Sequence, residues 1–124
     1  WTATSKDGRV SVVDLGSRRV SRTVEVQTKR SNRLKITPDG KTVLVSDMGA
    51  GDLVVLDAAS RSVTKRLHLG KAVEGILILD DGSKAYVAVT DDNVVAVVDL
   101  ETFDVTGRVE TGAGPDGMAW AGGR

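Results

Sequence analysis

The sequence predicts an all-β protein built from repeated antiparallel sheets, and three observations support this prediction. Short runs rich in Val, Leu and Thr are separated by turn-forming residues, and the chain contains 14 Gly but only 2 Pro. No segment has the apolar spacing of an amphipathic helix. The pattern of strands and turns also repeats along the chain, which indicates copies of one supersecondary unit.

The repeat is visible in aspartates that close similar strand-like runs. Asp57 recurs as Asp99, and the pair Asp39-Gly40 recurs as Asp81-Gly82, in each case 42 residues later. Three β-branched runs, at 10–14, 53–57 and 95–99, each end in Asp. Further runs at 20–24, 63–67 and 105–109 fall in the same frame.

Each period contains four strand-like runs, which we name a to d. In the second copy they are expected at 33–37, 42–47, 53–57 and 62–69. Gly8, Gly51 and Asn93 share one aligned position in the turn between strands b and c. Gly and Asn tolerate the positive φ of tight hairpin turns, so each join is predicted to be a hairpin.

A four-stranded antiparallel sheet repeated every 40 to 45 residues is the blade of a β-propeller. The fold expected is therefore a β-propeller arc of about three blades, with its strands permuted in the order b-c-d-a. The 124 residues form one repeat unit: a partial blade at 1–27, blades at 28–69 and 70–111, and an extra innermost strand within 112–124, at 118–121. An immunoglobulin-like sandwich is disfavoured because it would not repeat in this way.

The segments 37–41 and 44–47, Thr-Pro-Asp-Gly-Lys followed by Leu-Val-Ser-Asp, resemble the YVTN-type β-propeller repeats of surface-layer and periplasmic proteins. Residues 86–89 and 1–4 are weaker copies of the name motif, and 114–117 matches the Pro-x-Gly that precedes strand a. Segments 31–33 and 73–75 depart from that pattern. The resemblance implies a periplasmic or cell-surface location.

Three blades cannot close a ring, because propellers need roughly four to eight. The unpaired strand edges at both ends of the arc favour association with another sheet. Either two copies join head to tail as a six-bladed homodimer, or further blades of a longer chain complete the ring. Residues 1–41 carry ten Lys/Arg and four Asp/Glu, whereas residues 42–124 carry seven and thirteen. This opposition of charge favours the homodimer.

The composition argues against several kinds of chemistry. The chain has no Cys, a single His at position 68 and a net charge of zero, so we expect no metal site, no nucleic-acid partner and no membrane partner. The segment 112–117 matches Gly-x-Gly-x-x-Gly, but no helix can follow it, so no bound cofactor is expected. No Gly-x-Ser-x-Gly motif is present, and no catalytic residue is predicted.

The loops d–a and b–c of a propeller converge around the channel mouth, where ligands usually bind. Arg33 and Lys35 alternate on strand a, where the other copies have small or apolar residues. A ligand held there should be anionic, whereas the alternative is that both cations pair with nearby aspartates. The candidate contacts at this channel face are Lys29, Arg30, Asn32, Arg33, Lys35, Lys71, Glu74 and Asp116.

The function favoured by these observations is that of a non-enzymatic binding or scaffold module. The alternative is a fragment of a larger propeller enzyme, an oxidoreductase or a lactonase-like protein, with its catalytic residues outside this chain. The identity of the ligand is left open by the sequence.

Overall fold

The computed structural model describes residues 1–122, which form eleven strands and one three-residue 3-10 helix, Thr90–Asp92. None of the described residues forms a helix of the length and apolarity needed to cross a membrane. The strands are β1 (Thr2–Ala3), β2 (Arg9–Asp14), β3 (Arg19–Glu25), β4 (Ser31–Ile36), β5 (Thr42–Asp47), β6 (Asp52–Asp57), β7 (Ser62–His68), β8 (Val73–Ile78), β9 (Lys84–Val89), β10 (Val94–Asp99) and β11 (Val105–Glu110).

These strands form three antiparallel sheets in which chain neighbours are also sheet neighbours. The orders are β1-β2-β3, β4-β5-β6-β7 and β8-β9-β10-β11. The first sheet has strands b, c and d alone, and the other two are complete four-stranded blades. This architecture confirms the predicted fold class, an all-β propeller arc.

The same irregularity recurs at the same place in each blade. The pairing of strands c and d shifts register between Val12 and Val13, between Val55 and Leu56, and between Val97 and Val98. A bulge of this kind bends a strand and increases its twist. The repeated bulges therefore give the three sheets the same shape, which lets them stack face to face.

The b–c turns adopt the backbone conformation that the sequence predicts. Gly8, Gly51 and Asn93 have φ of 67°, 76° and 57°. A Cβ atom on Gly51 would overlap the carbonyl oxygen of Gly70. This position therefore needs glycine for two reasons, its positive φ and the close approach of the following d–a loop.

The repeated aspartates cap the c–d turns. The Asp57 carboxylate accepts the backbone N–H of Ser60 at 2.6 Å, and Asp99 accepts the backbone N–H of Thr102 at 2.9 Å. These backbone hydrogen bonds hold the pKa of both carboxyl groups below the ordinary value. The 42-residue spacing of these aspartates thus reflects a turn repeated in successive blades.

Apolar side chains between neighbouring sheets form the core of the arc. The interface of the first two blades contains Val10, Val24, Val26, Val43, Val45, Val54 and Leu56. The interface of the second and third contains Leu44, Leu53, Val55, Leu69, Val73, Ile76, Ala85, Val87, Val89, Ala96 and Val98. Each blade is therefore stabilised by its neighbours.

An arginine on strand d joins each of the last two blades to the blade before it. Arg108 donates to the carbonyl oxygen of Leu69 at 2.7 Å, and Arg66 donates to that of Val26. Both acceptor residues are buried. The first blade has Thr23 at the aligned position, so this contact belongs to only two of the three blades.

The extra innermost strand expected at 118–121 is not formed. Described residues 112–122 contain no strand, because no b strand of a further blade lies beside them to supply hydrogen bonds. The segment nevertheless packs on the third blade, with the backbone of Asp116 against Gly75 and the Trp120 ring stacked on Tyr86 at 6.4 Å between centroids. Strand pairing of these residues needs a b strand outside this chain, so the extra innermost strand stays a prediction.

Candidate functional site

The rim that carries the d–a loops and b–c turns is organised around Asp47, at the end of β5. This residue is fully buried. Its carboxylate accepts the backbone N–H groups of Lys29 and Arg30, both at 2.8 Å, and those of Gly49 and Ala50 at 3.1 and 3.2 Å. Four hydrogen bonds from two separate loops fix the backbone of both, so Lys29 and Arg30 extend from a rigid support.

Gly49 allows the two loops to come this close. A Cβ atom at this position would lie 2.9 Å from the Cβ of Lys29 and 3.2 Å from that of Arg30. Met48 adds a backbone hydrogen bond of 2.9 Å from its N–H to the carbonyl of Arg30. The b–c turn of the second blade is thus packed directly beneath the d–a loop.

An open cleft of about 600 Å³ lies on this rim between the first two blades and reaches Glu74 on the third, and we call it the rim cleft. The structure brings four of the predicted residues together in it, two of which are Asn32 and Glu74. Its lining consists of Ser5, Lys6, Lys29, Arg30, Ser31, Asn32, Met48 and Glu74. Three cations and one carboxylate therefore surround this opening.

Asn32 and Glu74 link the innermost strands of the second and third blades. The Asn32 side-chain amide donates to Glu74 Oε2 at 2.9 Å. Asp116 occupies the same repeat position after the third blade. Polar side chains thus stand at three consecutive inner positions of the arc.

Arg33 extends this polar row to the C-terminal segment. Its guanidinium donates to Asp116 Oδ2 at 3.2 Å and also to Asn32 Oδ1. Lys35 is exposed on the same strand. Arg33 therefore has an acidic partner, as the alternative interpretation expected of both cations, whereas Lys35 forms no ion pair within residues 1–122.

Lys71 lies in a neighbouring cleft, whose walls also include His68 and Asp92. Asp92 accepts the backbone N–H of Lys71 at 2.9 Å. His68 Nδ1 lies 2.9 Å from Asp52 Oδ1. The predicted channel-face residues are therefore divided among the rim cleft, the Arg33 row and this second cleft.

Sequence reasoning missed Ser5 and Lys6, which form one wall of the rim cleft. The signal that could have identified Lys6 is a break in the repeat, because Gly49 and Asp91 occupy its aligned positions. Within residues 1–122 no three His, Asp or Glu side chains lie close enough together to hold a metal ion. The chemistry that the rim cleft offers is hydrogen bonding and positive charge.

Comparisons with known proteins place the fold in the β-propeller class. No protein-family model matches the chain, and no curated protein matches it. Hydrazine synthase of Kuenenia stuttgartiensis matches at 24% identity and a TM-score of 0.64, over 66% of this chain and 23% of that one.

Two further solved structures show the same fold similarity. Dihydro-heme d1 dehydrogenase NirN, in complex with DHE, matches at 17% identity and a TM-score of 0.73, over 85% of this chain and 22% of that one. Apo AztD from Citrobacter koseri matches at 19% identity and a TM-score of 0.74, over 89% of this chain and 31% of that one. All three are β-propeller proteins, and this chain spans less than a third of each. The likeness establishes the fold alone.

Proposed function

We propose that this chain is a non-enzymatic β-propeller binding and scaffold module of the YVTN type, completed by association of two copies head to tail into a six-bladed ring. The observation that supports it is an apolar surface at each end of the arc. Val13 and Val109 are copies of side chains that neighbouring blades bury or partly bury elsewhere in the protein.

The first blade provides one of these surfaces. Val13 is 36% exposed, whereas Leu56, at the same position in the second blade, is fully buried against the first. At the other end Val109 and Trp120 are 51% and 52% exposed. Covering both surfaces with a second copy would remove this apolar area from water, which favours association.

Strand pairing also favours this arrangement. β1 is an edge strand of a sheet that has strands b, c and d, and the segment 112–122 already packs on the third blade without strand partners. In the proposed ring, residues 118–121 of one copy pair with β1 of the other and complete its first blade. Unpaired edges readily accept such a strand.

The second candidate is a segment of a larger propeller, and the comparisons favour it. Hydrazine synthase and the dehydrogenase NirN are named as enzymes, and the chain covers only 23% and 22% of them. In that case the surfaces at Val13 and Val109 contact further blades of the same polypeptide. Catalytic residues of such an enzyme would lie outside this chain.

Solution mass tests the proposal directly. Light scattering after size exclusion at about 0.1 mM protein should give twice the 13.1 kDa of one chain. A folded monomer at that concentration contradicts self-closure and favours the second candidate. A head-to-tail contact is heterologous and closes into a ring only if the rotation between subunits permits, so higher open oligomers would also contradict a closed six-bladed ring.

Substitutions locate the contact. Val109→Glu places a charge in the proposed interface and should yield a monomer. Ala59→Glu is the matched control, because Ala59 is exposed in the c–d turn of the second blade, which is the middle sheet of the arc. If both variants dissociate the dimer equally, the proposed interface is wrong.

A further inference from the structure

The rim cleft has an excess of positive charge that the other blade junctions lack. Lys6, Lys29 and Arg30 line it, and none of them forms an ion pair within the described part of the chain. Glu74 is the only carboxylate in the lining, and it accepts a hydrogen bond from Asn32. Cations held near one another without acidic partners repel each other, so an anion between them is stabilised.

Comparison of the three repeats shows that the excess of positive charge is confined to the junction of the first two blades. The position of Lys6 holds Gly49 and then Asp91, and the position of Lys29 holds Lys71 and then Ala113. When Asn32 is aligned with Glu74, Arg30 corresponds to Ala72 in the second repeat and to Gly114 in the third. The formal charge of the three positions falls from +3 to +1 to −1 along the arc. Departures from an otherwise consistent repeat indicate sites kept for a purpose other than folding.

The support beneath the cations is rigid. The buried carboxylate of Asp47 fixes the backbones of Lys29 and Arg30 at 2.8 Å each, and Gly49 provides the space for them. The backbone of both residues is therefore ordered before a ligand binds, which lowers the entropic cost of binding. Lys6 extends from the b–c turn of the first blade, on the opposite wall.

We propose that the rim cleft binds the phosphate group of a small phosphomonoester, with Lys6, Lys29 and Arg30 contacting the phosphate. Arginine and lysine are the side chains that bind phosphate oxygens most effectively. Glu74 lies at the inner end of the cleft and accepts a hydrogen bond from a hydroxyl group of the ester. The carboxylate also repels a second anionic group, which favours a ligand with one charged end.

Two phosphate sources are distinguished by titration. Amide shifts of Lys29, Arg30 and Gly49 in two-dimensional NMR are followed with inorganic phosphate and, separately, with glycerol 3-phosphate, at constant ionic strength. Both should give saturable shifts, and glycerol 3-phosphate should bind more tightly. Glu74→Gln should reduce that preference, because the amide is a weaker acceptor than the carboxylate.

The variant Lys29→Gln/Arg30→Gln should weaken the binding of both probes about tenfold. Its fold should be retained, because Asp47 accepts backbone groups and not these side chains. Lys41→Gln is the matched control, since Lys41 is exposed in the a–b turn at the opposite rim and its loss should change affinity less than about twofold.

Three outcomes overturn the proposal: no saturable shift with either probe, shifts outside the rim cleft, or equal weakening by Lys41→Gln. The cleft lies within a single chain, so this result does not depend on ring closure. A monomer that binds glycerol 3-phosphate contradicts the dimer alone, and a dimer that does not bind contradicts the site alone.

Discussion

The side-chain amide of Asn32 donates to the carboxylate of Glu74 at 2.9 Å, across the gap between two blades, and the two residues are 42 positions apart in the sequence. They occupy the same place in successive repeats, so the contact joins like positions of neighbouring blades. Asp116 continues the series and binds Arg33. Polar side chains therefore form contacts between blades at the inner edge of the arc, whereas apolar side chains pack between the blade faces.

A double-mutant cycle measures the Asn32–Glu74 contact. Asn32→Ala and Glu74→Ala should each lower the free energy of unfolding slightly, and their coupling should be about 0.5–1.5 kcal/mol, as expected of one partly exposed hydrogen bond. Urea denaturation of the four proteins gives the value. A coupling of zero would mean that the contact does not stabilise the junction of these blades.

Asp47 should be the polar residue most important for stability. Asp47→Ala leaves four backbone N–H groups without their acceptor and should lower the free energy of unfolding by about 2–4 kcal/mol. Asp47→Asn keeps one acceptor oxygen and should cost less. The control is Asp80→Ala, an exposed turn position, which should change the urea midpoint little.

The sequence allowed the repeat, the blade strands and the positive-φ turn positions to be predicted, because these depend on local residue patterns. It did not allow the role of Asp47 to be predicted, because the bonds to Lys29 and Arg30 join residues 18 and 17 positions apart. The inclusion of Lys6 in the rim cleft likewise depends on how two blades stack. Such contacts follow from tertiary packing, which periodicity alone does not describe.

Substitution of two glycines distinguishes the free-energy cost of a positive φ from the cost of steric overlap. Gly40 and Gly51 have φ of 73° and 76°, but only Gly51 lies against another part of the chain. Gly40→Ala should cost about 1 kcal/mol, the penalty for positive φ, and Gly51→Ala about 2 kcal/mol or more, because the Gly70 loop must also move. Equal shifts in the urea midpoint would show that the d–a loop moves without cost.

The stability of the protein should decrease in acid because of the capping aspartates. Hydrogen bonds in the folded protein hold the pKa of Asp57 and Asp99 below the ordinary value, so their stabilising contribution is present above the unfolded pKa, near 3.9, and is lost as the pH falls through the folded pKa. The urea midpoint should therefore decrease from about pH 4 downwards. Asp57→Asn should lower the midpoint at pH 7 and make its decrease in acid smaller. An identical acid profile in the variant would contradict this role.

The arginine contact between blades provides a test of ring closure. Arg108 binds the carbonyl of Leu69, and the aligned carbonyl of the third blade is that of Thr111. In a head-to-tail dimer the partner's first blade would place Thr23 there, where the other junctions have arginine. Thr23→Arg should therefore supply the missing donor and tighten the dimer about tenfold, as one hydrogen bond to a charged group would.

Sedimentation over a range of concentrations measures this change. Arg22→Thr/Thr23→Arg is the matched control, since it adds the donor at position 23 while leaving the charge of the strand unchanged. If dimerisation strengthens in both variants, the hydrogen bond and not the added charge is responsible, and the blade order of the proposed ring is supported. If neither strengthens, Thr23 does not face the third blade of a second copy, because an arginine there would reach the carbonyl of Thr111 as Arg108 reaches that of Leu69.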